Sequence, residues 1–225
     1  MEAGNSNKIA PFVSGDGSVI GIDRVTALAA AIALGVGGSA LAQDKVPAAA
    51  SQVCAACHGA DGNSTAPANP KIAGQGADYL HKQLRDFKAA GGKKPLRESP
   101  VMNGMVANLS EGDMKGLASY YSGQPLKPAA AADKDLASAG QKLWRGGDLA
   151  NGVPACAGCH GPAGAGVPAQ YPRLAGQYAD YVAAQLTAFR EGRRANDPNS
   201  MMRGVAARMT DRQIRAVAEY AAGLR

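Results

Sequence analysis

All four cysteines of this 225-residue chain lie in two copies of C-x-x-C-H: Cys54-Ala55-Ala56-Cys57-His58 and Cys156-Ala157-Gly158-Cys159-His160. Two thiols on a helical start can form thioethers along one porphyrin edge. The histidine that follows presents its imidazole to the iron, which makes the pattern the attachment signature of a c-type haem. Three other chemistries compete. Four cysteines in an exported chain suggest two disulfides by default, but disulfides leave the adjacent histidines unexplained. A thioredoxin-like C-x-x-C wants a βαβ context, and no alternating Val/Ile/Thr strand pattern is present. Zinc would have to join two distant motifs in one site and waste their duplication. The reading is therefore two covalent haems c, attached through Cys54, Cys57, Cys156 and Cys159, with His58 and His160 as axial ligands of iron.

The motifs are part of a longer repeat. Residues 54–87 match residues 156–189 at a constant offset of 102, with identity at 16 of 34 positions. The matches include Pro70/Pro172, Gly74/Gly176, Gln75/Gln177, Tyr79/Tyr181, Gln83/Gln185 and Phe87/Phe189. Beyond a two-residue deletion the offset becomes 100, as in Met102/Met202, Gly104/Gly204, Ala107/Ala207 and Tyr120/Tyr220. A period this long indicates a duplicated domain rather than a solenoid.

This register selects the sixth iron ligand. Of the methionines after Met1, only Met102 and Met202 occupy equivalent positions; Met105 meets Val205, Met201 meets Val101, Met114 meets Ile214 and Met209 meets Leu109. Met102 and Met202 are the candidate ligands, with Met105 and Met201 the adjacent alternatives. Met105, Met114 and Met209 otherwise read as core filling. Thioether ligation raises the potential, and closing both axial positions leaves the iron only outer-sphere electron transfer. His81, whose counterpart is Ala183, reads as a surface histidine.

Helices must position these groups. Apolar spacing predicts helices over 78–89 and 180–191, and another over 133–144 leading into the second cysteine motif. Ser110 with Asp113 and Thr210 with Gln213 read as N-caps of terminal helices running to Tyr121 and Ala222, the second as a capping box. The fold class is all-α. The Pro-rich stretch beginning at Gly123 separates the halves. The resulting plan is a signal peptide or N-terminal extension over 1–42, domain 1 over 43–124, a linker over 125–132 and domain 2 over 133–225.

Composition agrees. The chain is 46% hydrophobic but only 5% aromatic, with 29 glycines, so each small half lacks side-chain bulk for its own core and needs a metal, disulfide or cofactor. A net charge of +6 is too mild and dispersed for nucleic-acid binding. Arg24, the short apolar run 25–42 and the terminal Ala40-Leu41-Ala42 form a secretory signal, against the alternatives of a buried helix or a membrane anchor. The acidic stretch before it suggests an upstream start codon. Export implies the periplasm, with peripheral membrane association and retention of the signal left open. Residues 43–126 carry net +2 and residues 127–225 net +5. The second excess comes largely from Arg190, Arg193, Arg194, Arg203, Arg208, Arg212 and Arg215, so domain 2 is the expected docking side for an acidic partner, against an ordinary solvated surface.

Together C-A-A-C-H-G-A-D-G-N-S, P-K-I-A-G-Q, C-A-G-C-H-G-P, P-R-L-A-G-Q-Y, Q-L-T-A-F-R-E-G-R-R and M-R-G-V-A-A resemble the dihaem cytochrome c4 family over essentially all of 46–225. The resemblance implies two tandem cytochrome c-like domains, each wrapped around one covalent haem c, with His58/Met102 and His160/Met202 on the irons. It implies redox protein partners: a quinol-oxidising bc complex as donor and a terminal haem-copper oxidase as acceptor. The alternative is a dihaem subunit of a catalytic complex such as a flavocytochrome sulfide dehydrogenase; an enzyme is not expected. Class I cytochromes c also use a proline at this spacing to accept the histidine's second ring N–H, which gives Pro70 and Pro172 that role, against one of merely setting a turn.

Overall fold

A computed structural model describes residues 46–167 and 170–225. The signal segment expected over 1–42 lies outside them. The described residues form α-helices and short turns, with only isolated bridges in place of a sheet. The first domain contributes α1 (Ala55–His58), α2 (Ala77–Phe87), α3 (Pro100–Val106) and α4 (Glu111–Ser122). The second contributes α5 (Lys134–Gly146), α6 (Ala157–His160), α7 (Ala179–Arg190), α8 (Met201–Ala206) and α9 (Asp211–Gly223). None of these helices is long and apolar enough to cross a membrane.

Capping chemistry sets the starts of the terminal helices. Thr210 Oγ1 accepts from Gln213 N at 3.2 Å while Gln213 Oε1 accepts from Thr210 N at 2.9 Å. Ser110 and Asp113 make the same reciprocal pair at 3.1 and 2.8 Å, so α4 opens with a capping box as well. The shorter aspartate does the work of the more usual Glu or Gln. Asp133 caps α5 by accepting from Asp135 N and Leu136 N.

The second domain's core gathers around Trp144, which is fully buried with Leu143, Val153, Val182, Met209, Ile214 and Val217. The close crossing of α5 and α9 makes this possible. A Cβ on Gly140 would lie 2.0 Å from the backbone oxygen of Ala216, so only glycine lets these backbones touch. In the first domain the buried cluster is Ala50, Leu117 and Tyr121, flanked by half-buried Ile72, Leu80 and Leu84.

One glycine seats the loop after each cysteine motif. Gly62 and Gly164 take φ of +74° and +63°, and their carbonyls accept from Ile72 N and Ala73 N, and from Leu174 N and Ala175 N. A Cβ on Gly62 would lie 2.8 Å from both Ala73 N and the Tyr121 ring. Conformation and space therefore both demand glycine there.

The segment 125–132 is extended but tied to both halves. Asn63 Nδ2 donates to Pro125 O, Lys127 Nζ donates to Asp61 Oδ2 at 2.8 Å, and Ala129 N donates to Gly176 O at 2.8 Å.

Gly140→Ala is expected to force α5 from α9 and destabilise the second domain by about 1–3 kcal/mol or more, read as a lowered thermal midpoint. The Asp61 carboxyl is held at about 2, below its ordinary 3.8, mainly by the hydrogen bond from Lys127. A depressed folded value stabilises above the unfolded pKa and is lost as pH falls. Asp61→Asn should therefore remove a small acid-labile component of stability between about pH 4 and pH 2, measured by unfolding across that range.

Candidate haem centres

The two C-x-x-C-H segments end alike. The first continues without a break from a π-helical turn, Ala50–Cys54, and the second starts a one-turn helix of its own, but both end at a glycine of positive φ, +79° at Gly59 and +81° at Gly161. Of the four cysteines, Cys57 and Cys159 are exposed, Cys54 and Cys156 half-buried. Burial raises the Cys54 thiol above its ordinary value and pushes Cys156 to about 11.

His58 and His160 are buried behind them. His58 Nδ1 donates to the carbonyl oxygen of Pro70 at 2.9 Å, and His160 Nδ1 donates to that of Pro172 at 2.9 Å. A carbonyl can only accept, so each bond puts the ring proton on Nδ1 and leaves the Nε2 lone pair for a metal. Burial lowers both imidazole pKa values, the proline carbonyls opposing it, so the neutral, ligating form is favoured.

The methionines sort by position. Met114 and Met209 are core residues at 4% exposure, while Met105 is 49% exposed. Met201 is half-buried, with its sulfur 3.9 Å from the Tyr171 hydroxyl. Met102 and Met202 occupy corresponding places near the starts of α3 and α8, both half-buried. Ser99 caps α3 by accepting from Met102 N; α8 is entered through Asn199 and Ser200 at φ of +53° and +57°. His81 lies half-buried on α2, 2.8 Å from Glu111 Oε1.

These donors suit a haem held by two thioethers and an imidazole better than the competing chemistries. No described cysteine is in a disulfide, and no three described His, Cys, Asp or Glu residues converge into a zinc-type cluster. Each half instead repeats one set: a thiol pair, a tautomer-locked imidazole and an aligned thioether.

A second set of polar residues, whose role sequence reasoning missed, joins the domains. Gln75 brackets Arg173, accepting from its N at 2.9 Å and donating to its carbonyl at 2.9 Å; Gln177 does the same to Lys71 at 3.0 and 2.8 Å. Beside them two arginines cross the seam. Arg97 stacks on Phe87 and donates to Gln83 in its own domain and to Tyr181 and Gln185 in the other. Arg194 mirrors it, stacking on Phe189 and donating to Gln185, Tyr79 and Gln83. Burial would raise the Tyr79 phenol, but the charges of Arg194 and Arg97 bring it below its ordinary value. The signal for this seam was present in the repeat, because Gln75/Gln177, Tyr79/Tyr181 and Gln83/Gln185 are all identities.

The arrangement removes Arg194 from the expected docking surface. Arg194 is only 8% exposed and belongs to the seam. Arg190 pairs with Asp211, Arg193 with Glu191 and Arg203 with Asp197, while Arg208, Arg212 and Arg215 are exposed and in no ion pair among the described residues.

The fold and its duplicated sites define a two-domain c-type cytochrome, and comparison with known proteins agrees. The family model described as cytochrome c matches residues 38–123 and 137–224. Cytochrome c4 of Azotobacter vinelandii is 50% identical over 206 residues, covering 86% of this chain and 95% of that protein. A thiosulfate dehydrogenase electron acceptor of Stutzerimonas stutzeri is 42% identical over 178 residues, covering 78% and 80%. The crystal structure of reduced recombinant cytochrome c4 from Pseudomonas stutzeri superposes with a TM-score of 0.74 at 45% identity, covering 80% of this chain and 98% of that one. The chain belongs to the cytochrome c4 family: an electron carrier with two haems c, one in each domain.

Arg194→Ala would strip partners from Gln83, Gln185 and Tyr79 at once. It is expected to cost about 3 kcal/mol and to split thermal unfolding of the holoprotein into two separated domain transitions, followed by calorimetry.

Proposed function

We propose that the chain is a periplasmic carrier that takes single electrons from a quinol-oxidising bc complex and delivers them to a terminal haem-copper oxidase. Its iron ligands are His58 with Met102 and His160 with Met202; Cys54, Cys57, Cys156 and Cys159 form the thioethers. The domains run over 43–124 and 133–225, joined by 125–132. The observation that carries this reading is the pair of His-to-proline carbonyl bonds, repeated at 2.9 Å in both halves. It readies one imidazole nitrogen per domain for iron, and the repeat register supplies one thioether per domain to oppose it.

Bound haem supplies one-electron exchange between ferrous and ferric iron. The chain's residues set the conditions. Pro70 and Pro172 orient the imidazoles, and Met102 and Met202, as the second iron ligands of bound haems, would deny peroxide and dioxygen a binding place, which argues for a carrier rather than a peroxidase. The crossed arginines and bracketing glutamines fix one domain against the other.

A second reading has one specific support, the relative named as a thiosulfate dehydrogenase electron acceptor. In it the chain takes electrons from a sulfur-oxidising catalytic partner instead of a bc complex. Mixing the oxidised carrier with a thiosulfate dehydrogenase and thiosulfate, or with a bc complex and quinol, separates the two by which donor reduces it rapidly.

A redox titration of the holoprotein is expected to resolve two one-electron steps, with the weak red-end charge-transfer band of methionine sulfur on ferric haem. Met102→Ala and Met202→Ala should each remove about half of that band and open one iron to carbon monoxide. A full band in both variants, or rapid carbon monoxide binding by the unaltered protein, overturns the assignment.

A further inference from the structure

The second domain places two methionines side by side at the start of α8, Met201 and Met202, where the first has Val101 and Met102. Successive residues of a helix point about 100° apart, so a rotation of that first turn about its axis exchanges the sulfur of Met202 for that of Met201. The first domain locks its own helix start from within, with Pro100 in the first turn and the Ser99 hydroxyl accepting from Met102 N at 3.3 Å. α8 has no side-chain cap. Asn199 and Ser200 lead into it at φ of +53° and +57°, the only non-glycine residues in the left-handed region among those described. Its anchor comes later, at Arg203, whose N and Nε donate to Asp197 at 3.0 and 2.8 Å.

Tyr171 supplies a restraint from outside the helix. Its hydroxyl lies 3.9 Å from the sulfur of Met201, in reach of an O–H···S hydrogen bond that the thioether accepts. The phenol is itself held in place. Tyr171 N donates to Val167 O at 3.1 Å, Val167 N donates to Tyr171 O at 3.0 Å, and the ring stands edge-on to that of His160 with centroids 6.2 Å apart. The next residue is Pro172, whose carbonyl accepts from His160 Nδ1. Met202, by contrast, packs against the core around Trp144. In the first domain the counterpart of Tyr171 is Asn69, and Val101 is 60% exposed with no sulfur to hold. The tyrosine and the extra methionine thus occur together, in the one domain where a choice between two sulfurs has to be made.

We propose that Tyr171 is a positioning residue that selects the methionine on the second iron: its hydroxyl holds the sulfur of Met201 away from the metal and leaves Met202 to bind it. A neutral hydrogen bond biases two otherwise similar arrangements by about two- to tenfold, and the packing of Met202 on the core acts in the same direction. The inference rests on the reading of Met202 as the ligand opposite His160 and adds the group that makes that choice.

The test uses holoprotein, read by the methionine charge-transfer band and by carbon monoxide binding. Met202→Ala should lose the second domain's half of the band. Tyr171→Phe, which removes one hydroxyl and keeps the ring, should return part of it in that background, about two- to tenfold above Met202→Ala alone, and slow carbon monoxide binding to that iron to match. Adding Met201→Leu should abolish the return. Tyr171→Phe placed in Met102→Ala should return nothing, because Val101 offers no sulfur. A second measurement keeps Met202 in place: proton NMR of the reduced protein gives one strongly shifted methyl signal for each iron-bound methionine, and Tyr171→Phe alone should add a third, weaker one that Met201→Leu removes. No return in Met202→Ala/Tyr171→Phe, together with no third signal in Tyr171→Phe, overturns the proposal. A return that survives Met201→Leu, or that appears in Met102→Ala, also overturns it. Loss of half the band in Met201→Leu alone overturns the proposal and the Met202 assignment together. Half the band lost in Met202→Ala and a full band in Met201→Leu show that the assignment stands whichever way Tyr171 falls.

Discussion

One hydrogen bond in each domain, from a buried histidine to the carbonyl of the proline twelve residues on, organises much of the molecule. It fixes the tautomer and the plane of an imidazole, and it also fixes where the segment after that proline must run. That segment continues as Pro70-Lys71-Ile72-Ala73-Gly74-Gln75 in one half and Pro172-Arg173-Leu174-Ala175-Gly176-Gln177 in the other. Its next residue is clasped by a glutamine from the opposite domain, and its last is the glutamine that clasps back. A stretch of six residues thus holds the buried histidine at one end and the neighbouring domain at the other. Movement at the seam would be felt at the imidazole, so domain docking and ligand geometry share one mechanical element.

Buried polar contact is an expensive way to join domains unless every group is satisfied. Here the acceptors outnumber the cations. Gln83, Gln185, Tyr79 and Tyr181 receive Arg97 and Arg194, while Phe87 and Phe189 cover the guanidinium faces. Such a seam is directional where an apolar one would slide. For a carrier whose domains must keep a set distance for electron transfer, that specificity matters more than the net stability of the contacts.

Duplication did not yield two equal halves. The second domain keeps a large aliphatic core around Trp144 and closes α5 on α9 through Gly140. The first buries a smaller cluster and leaves the α3 side apolar and open. The loop before α3 is two residues longer and leaves Lys93 and Lys94 exposed, while Arg97 and Arg194 turn into the seam alike.

Much of this was legible from residue types and spacing. The C-x-x-C-H pair specified the cofactor because thioether and imidazole chemistry depends on local spacing alone. The shift in repeat offset separated Met102 and Met202 from the other methionines, and the caps at Ser110 and Thr210 placed helix starts to within a residue. The expected arginine surface lost Arg194 for a physical reason: a guanidinium in sequence carries no mark of whether it faces water, an aspartate or a buried tyrosine. Arg194 became a seam residue only once Tyr79 and Gln83, more than a hundred residues earlier, lay against it. Likewise Gln75 and Gln177 could be seen to repeat but not to clasp, since the backbone each brackets belongs to the other domain. The sequence by itself determined the chemistry, the helices and the duplication, because these are written in local patterns. Only the tertiary structure decided how the two copies meet and which charges remain free, because burial and pairing depend on what the rest of the chain brings near.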